Sequence, residues 1–490
     1  MPTVLAGVIV FGASAAILVL EILAVRLLAP FMGITLETTT AVIGTVLAGI
    51  ALGTWLGGRA ADQSDPRRLL GPVLIVGGVL AIAVIPLIDL AVSLRLRPDA
   101  GGVVTVTALA FFAPAAVLAA ASPIVVKLQL RSLGETGSVV GRLSALGTAG
   151  AILGTFVTGF VLVSALPTRP IVIGVGLVLI GAGVLVAATV GRARGPWVAG
   201  LALLAGGLAL AWTTTSPERC QRESAYFCIN VAVDADGQGA ELRMDTLRHA
   251  YVDLADPTWL EFAYTRLFGD VIDGLAPAGE PIDALHIGGG GFTMPRYIAA
   301  TRPGSDSRVL ELDPVVLRTA REQLGLVTGD ALEVVVGDGR VSLAAEPDDA
   351  YDLVVGDAFA GPAVPWHLTT RELIADVQRV LRPDGIYVLN VIDYPPLALA
   401  RAELATMGEV FEHVAFIGPS SRIRGETGGN LVLMASDAPF PEEAIRAANR
   451  ARGGDDELVT DRGVLDGWIA DAMVLTDDHA PTDQLLTRFG

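Results

Sequence analysis

Up to Thr213 the chain passes through one apolar run after another, each about twenty residues long and nearly free of charge. Such runs leave a backbone few options. A helix crossing a bilayer needs ~20 apolar residues, because lipid offers no partners for free N–H and C=O groups. Candidate spans fall near 3–28, 38–58, 69–92, 102–126, 143–166, 170–190 and 196–213, about seven in all. The first reads as a span and not as a cleaved leader. It has no basic start, its apolar run is too long, and Glu21 and Arg26 interrupt its end.

Small residues are frequent in these runs. Gly49, Gly53 and Gly57 recur at every fourth position, which flattens one helix face for close packing. Glu21 is an ionisable group at membrane depth, and such groups are paired or functional; both readings stay open. The loops differ in charge. Arg59, Arg67 and Arg68, then Lys127, Arg131 and Arg142, then Arg192 and Arg194 alternate with loops holding fewer basic residues. Basic loops face the cytoplasm, so the N-terminus is expected there, and seven spans put the C-terminal part on the outer side.

Composition changes sharply after the last run. The chain is 52% hydrophobic with a net charge of −18, and the apolar excess lies before Trp212 while most of the acid lies after it. An acidic domain excludes nucleic acid as a partner, since phosphate binding needs a basic face. It is compatible with a cationic substrate, or with solubility alone. Two cysteines, Cys220 and Cys228, and no histidines at ligand spacing argue against a metal cluster. The pair forms a disulfide if it faces an oxidising compartment; otherwise it is two small residues beside a strand.

Residues 224–235 and 239–252 read as short strands with turns at Asp236-Gly237 and near Asp245, followed by an amphipathic helix near 258–274. Apolar strand cores then appear at 283–288, 308–312, 332–337, 351–356, 385–392, 412–417 and 430–435, most of them separated by helical segments. The expected fold is an all-α transmembrane bundle (1–213), a small β subdomain (214–257) and a Rossmann-like α/β domain (258–490). Its sheet is expected to be mainly parallel and covered on both faces.

The chemistry is concentrated where these strands end. Leu285-His286-Ile287 runs into Gly288, Gly289, Gly290 and Gly291, a turn whose backbone can approach a nucleotide closely. The next strand ends in Glu311-Leu312-Asp313, where an acid can accept the two ribose hydroxyls. The third ends in Gly337-Asp338-Gly339, where an acceptor can meet an adenine amino group, and the fourth delivers Asp357. Strand-terminating Asp and Gly explain any one of these positions; the set of four is harder to dismiss.

The second half resembles the spermidine synthase family, and the whole chain resembles the membrane-fused spermidine synthase-like proteins of bacteria. LEILAVRLLAPFMG, ASPIVVKL and ALGTAGAILGTFVTGF carry the resemblance in the apolar half. LHIGGGGFTMPRY, VLELDP, VVGDGR, YDLVVGDAFAGPAVPWHLTTRE and LTDDHAPTD carry it in the other. It implies an aminopropyltransferase-like enzyme using decarboxylated S-adenosylmethionine, or S-adenosylmethionine, as co-substrate, with no tightly bound cofactor and no metal. It implies donor contacts at Gly288, Gly289, Gly290, Glu311, Asp313, Asp338 and Gly339, and Asp357 as the acid that deprotonates the attacking amine. His249, Tyr264 and Asp478 become substrate candidates, and His367 a second acid–base candidate or a loop-fixing hydrogen bond. Soluble synthases have an Asp in the glycine run, where Gly291 stands, and a second Asp three residues after the catalytic one, where Ala360 stands. The Gln that ends their early strand motif aligns with His249. The partners expected are a nucleoside donor, a cationic amine and the lipid bilayer; self-association is left open. The competing readings are a membrane transporter or sensor with a non-catalytic nucleoside- or polyamine-binding domain, and a methyltransferase.

Overall fold

The computed structural model describes residues 1–33, 36–94, 100–190, 200, 204, 206–207, 210–214, 219–359, 361 and 364–486. The chain forms two units, Met1–Cys228 and Ile229–Gly490.

Six helices of the first unit are long and apolar enough to cross a membrane: α1 (Thr3–Met32), α2 (Leu36–Gln63), α3 (Pro66–Ser93), α4 (Gly101–Gln129), α5 (Leu133–Ala165) and α6 (Thr168–Thr189). The expected seventh span, 196–213, lies largely outside the described residues. The glycine face of α2 does what its spacing suggests. Gly49, Gly53 and Gly57 lie on the backbone of α4 at Phe112, Ala116 and Ala120, where a Cβ on Gly53 would overlap the Ala116 carbonyl. Such close backbone contact is the kind that packs helices together where lipid removes the hydrophobic drive between them.

Polar contacts mark the two ends of the bundle. At one end Lys127 Nζ pairs with Asp62 at 2.7 Å, and Gln129 donates to the Met1 carbonyl at 3.0 Å. The arginine-bearing turns after α2 and α4 belong to this end. At the other, Arg26 near the end of α1 pairs with Glu223 at 3.0 Å and donates to Thr168 and to the carbonyls of Ser224 and Ala225. Glu21 is half-buried, and the partners of Arg26 lie elsewhere. Arg219 pairs with Asp89 at 2.8 Å and stacks on Phe31. Cys220 and Cys228 form a disulfide with their Cα atoms 5.1 Å apart, closing this segment into a clasp on the ends of α1, α3 and α6. Gly206 lies between, with Val79 and Ile180 as its neighbours, both near the middle of their helices.

The second unit opens with three antiparallel strands, β1 (Cys228–Val233), β2 (Gly239–Met244) and β3 (Leu247–Asp253). Then α7 (Ala263–Leu275), β4 (Asp283–Ile287), α8 (Thr293–Thr301), β5 (Asp306–Glu311), α9 (Pro314–Gln323), β6 (Leu332–Val336), α10 (Gly339–Leu343) and β7 (Tyr351–Gly356) follow. After them come α11 (Arg371–Val380), β8 (Leu381–Asp393), α12 (Ala398–Gly408), β9 (His413–Gly418), α13 (Ser420–Ile423), β10 (Gly429–Ser436), α14 (Glu442–Ala451), β11 (Glu457–Val459) and α15 (Arg462–Ile469).

Strands β4 to β11 make one sheet in the order β11-β9-β10-β8-β7-β4-β5-β6. The five strands from β8 to β6 are parallel; the other three are antiparallel. Alternation sends successive side chains to opposite faces. Leu285, Ile287, Val354, Tyr387 and Leu389 pack with α11 and α12, while Ala284, Leu353, Val355 and Val388 pack with α7, α8 and α14. Each fully buried Val, Leu or Ile contributes roughly 1.5–3 kcal/mol. The sheet is thus mainly parallel and covered on both faces, and its strand order reverses between β4 and β7. A crevice opens at the carboxyl edge of such a reversal, the usual ligand site of open α/β sheets.

Candidate active site

Four strand ends meet at that edge. The chain leaves β4 through Gly288, whose φ of 98° suits glycine and whose Cβ, if present, would lie 2.5 Å from the Asp357 carbonyl oxygen. Beside it, the Asp357 N–H donates to the Ile287 carbonyl at 3.0 Å. The glycine turn and the Asp357 backbone are therefore in direct contact across the strand reversal.

Glu311 ends β5 beneath the turn. Its carboxylate accepts from the N–H groups of Gly289 at 2.9 Å, Gly290 at 3.3 Å and Asp313 at 2.8 Å. Burial raises its pKa, and the three N–H bonds oppose that rise. Asp313 is buried and caps α9 by accepting from Val315 N–H at 2.8 Å; its second oxygen has no hydrogen-bond partner. Asp338 caps α10 through Arg340 and Val341 N–H, and its other oxygen lies 3.2 Å from His367 Nε2. Gly339 begins α10, where a Cβ would press on Ile287. Next to these acids Leu312, Val336 and Val341 leave apolar surface exposed.

Asp357 lies half-buried on the other side of the turn. Its Oδ2 accepts from the Tyr264 hydroxyl at 3.1 Å and its Oδ1 from Asn390 Nδ2 at 2.9 Å. Burial pushes its pKa up to about 6, against the two hydrogen bonds, so it titrates within reach of neutral pH. Burial also holds the Tyr264 phenol well above its ordinary value, which keeps it a donor. His249, on β3, is pushed down to about 4 by burial and is neutral at pH 7.

The structure brings Tyr264 directly to Asp357 and His367 to Asp338. His367 also accepts, through its carbonyl, from Arg340 Nη1 at 3.2 Å. Asp478 is exposed on the turn bridged by Thr476 and His479. Its neighbour Asp477 makes the connection inward, accepting from both Arg340 nitrogens at 2.6 Å and from Thr370 at 2.8 Å. Ala360 lies outside the described residues. Gly291 has a local reason to be glycine: a Cβ there would lie 2.5 Å from Ala250 Cβ on β3. The sequence marks Asp477 only as one of a polar cluster with Asp478 and His479, and it does not point to Asn390 or Arg340; Asn390 is polar in a largely apolar strand, its one visible signal. Among the described residues no group of three His, Cys, Asp or Glu is placed to hold a metal ion.

Residues 261–416 match the spermine/spermidine synthase domain family. A probable spermidine synthase from Corynebacterium glutamicum superimposes with a TM-score of 0.50 at 28% identity, over 56% of this chain and 100% of that one. The C-terminal half is spermidine synthase-like. A polyamine aminopropyltransferase from Vibrio vulnificus is 29% identical to it over 235 residues, 46% of this chain and 75% of the relative. An eEF1A lysine and N-terminal methyltransferase from Danio rerio is 28% identical over 183 residues, 36% of this chain but 26% of that protein. The span matched by the family, 261–416, holds both the glycine turn and Asp357.

Proposed function

We propose that the C-terminal domain is a transferase that moves an alkyl group, an aminopropyl group in the leading reading, from an S-adenosylmethionine-type sulfonium donor to an amine. The observation that carries this is Asp357: a half-buried carboxylate at the strand reversal, raised to about 6 and touching the glycine turn through its own carbonyl. The donor lies over Gly288 to Gly290, with Glu311 accepting from the ribose, Asp338 from the adenine amino group, and the exposed Leu312, Val336 and Val341 beneath the base. Asp313 and Gly339 shape the helix starts behind these contacts.

The amine nitrogen attacks the carbon bound to the sulfonium. A C–N bond forms, the C–S bond breaks, and its electron pair stays on sulfur, leaving a neutral thioether nucleoside. Asp357 takes the proton that the nitrogen loses, and Tyr264 holds the carboxylate from the far side. His249, neutral, and Asp478 line the acceptor side in this reading, and His367 holds Asp338. A donor whose C–S bond is already activated needs no metal.

Methyl transfer is the second reading. It is favoured by Gly291, whose position, closed by Ala250, has no room for the acid that would hold the amine of a decarboxylated donor. The full-length protein in detergent, given a diamine with either decarboxylated S-adenosylmethionine or S-adenosylmethionine, decides. An aminopropylated product supports the first reading and a methylated amine the second. Binding without either product supports a sensor.

We also read the chain as a multi-pass membrane protein, residues 1–213 forming the anchor, 214–257 a small β subdomain and 258–490 the Rossmann domain. The N-terminus lies in the cytoplasm with the arginine-bearing turns. The clasp at Cys220 and Cys228 grips the opposite end of the bundle, while α6 runs back to the arginine end. The seventh span read from the sequence would bring the chain back to that end, and this is the reason to place the C-terminal domain on the outer side.

A further inference from the structure

We propose that Asn430 is a positioning residue for the base: it holds the amide of Asn390 so that its NH2 always faces Asp357. This rests on reading Asp357 as the proton acceptor. Asn390 lies buried on β8 and donates to Asp357 Oδ1 at 2.9 Å, while its own oxygen accepts from Asn430 Nδ2, on β10, at 2.9 Å. The strands are antiparallel with Asn390 opposite Val432 and Asn430 opposite Ile392, so the two asparagines are diagonal neighbours on one face. The backbone at Asn430 is fixed in turn. Arg422 Nη1 donates to its carbonyl at 2.8 Å and lies against Gly429, whose φ of 133° suits only glycine.

The direction of this relay follows from chemistry. An ionised carboxylate only accepts hydrogen bonds, so it turns the NH2 of Asn390 toward itself. The Asn390 oxygen then points away and is left to the NH2 of Asn430. If Asn430 could not donate, Asn390 would gain a second orientation with its carbonyl toward Asp357, two acceptors face to face. That arrangement favours the protonated acid and disables the base. The titratable group facing Asp357 from the packed elements is Tyr264 on α7; Tyr387 on β8 points to the other face of the sheet, His286 on β4 is one strand away, and Arg422 lies beyond Asn430.

The test is an infrared titration of the Asp357 carboxyl in the full-length protein in detergent, the band being assigned by its loss in Asp357→Asn. Asn430→Ala, which adds no charge, moves the titration up by about one pH unit, and Asn430→Asp moves it further. The acid limb of the rate profile moves by the same amount, while calorimetric affinity for an S-adenosyl compound is unchanged. An unmoved Asp357 titration in both variants overturns the proposal, whether or not either is active. A titration that moves in a protein showing no turnover with any donor refutes the transferase reading and leaves the positioning role standing.

Discussion

At the scale of the residue, Asp357 has a cost that the proposed role as base would repay. Its folded pKa of about 6 lies above the ordinary 3.8, so the ionised form is the disfavoured one. The penalty is absent below about pH 4, grows as pH rises through 6, and is constant above. Two units correspond to a ceiling of about 3 kcal/mol. Asp357→Asn should therefore unfold at higher temperature than the parent at pH 8 and equally at pH 4, while turnover falls roughly 100-fold or more. Equal melting at both pH values would mean the carboxylate is not strained by burial. Glu311→Ala should weaken S-adenosyl binding clearly in calorimetry, since the proposed ribose acceptor is removed and Gly289 and Gly290 lose their anchor; unchanged affinity would remove Glu311 from the donor site. These acids were legible because each ends an apolar run. Asn390 and Asn430 were not, since a lone amide in a buried strand has no periodicity to betray its partner. Asp477 and Asp478 show the same limit: the motif does not say which of the two neighbours meets Arg340, and the fold gives that contact to Asp477.

At the scale of the element, the glycine turn is shaped as much by β3 as by the strand that leads into it. Thr293 at the start of α8 donates to the Tyr251 carbonyl at 3.2 Å, and Ala250 closes on Gly291. Gly291→Asp alone should destabilise the protein by about 1–3 kcal/mol through overpacking, without improving affinity for a decarboxylated donor. Pairing it with Ala250→Gly should recover most of the loss. A denaturation midpoint unchanged by the single variant would show that the turn can move aside. The strand cores of the sheet were legible from their apolar runs, because a strand buried on both faces has few polar positions to blur it. β11 was not: three residues, one of them Glu457, carry no such run, and only the pairing with β9 makes them a strand.

At the scale of the whole molecule, topology is the sharpest claim. A membrane-impermeant thiol reagent on intact cells should label Cys220 and Cys228 only after reduction. Labelling that requires lysis but no reductant would put the domain in the cytoplasm. The spans were legible from length and apolarity alone. The clasp was not, because its partners, Arg26, Asp89 and Thr168, lie far from it in sequence and meet it only through the packing of α1, α3 and α6.

The grip of Glu311 on the glycine turn has a last consequence, for selectivity in a mixture. Glycine turns that bind dinucleotides offer free N–H groups to a pyrophosphate. Here two of those groups are already taken by a carboxylate, and an incoming phosphate would meet negative charge in place of a donor. If the crevice holds an S-adenosyl donor as proposed, phosphorylated adenine compounds should be poor competitors, and adenosine derivatives without a phosphate should be favoured.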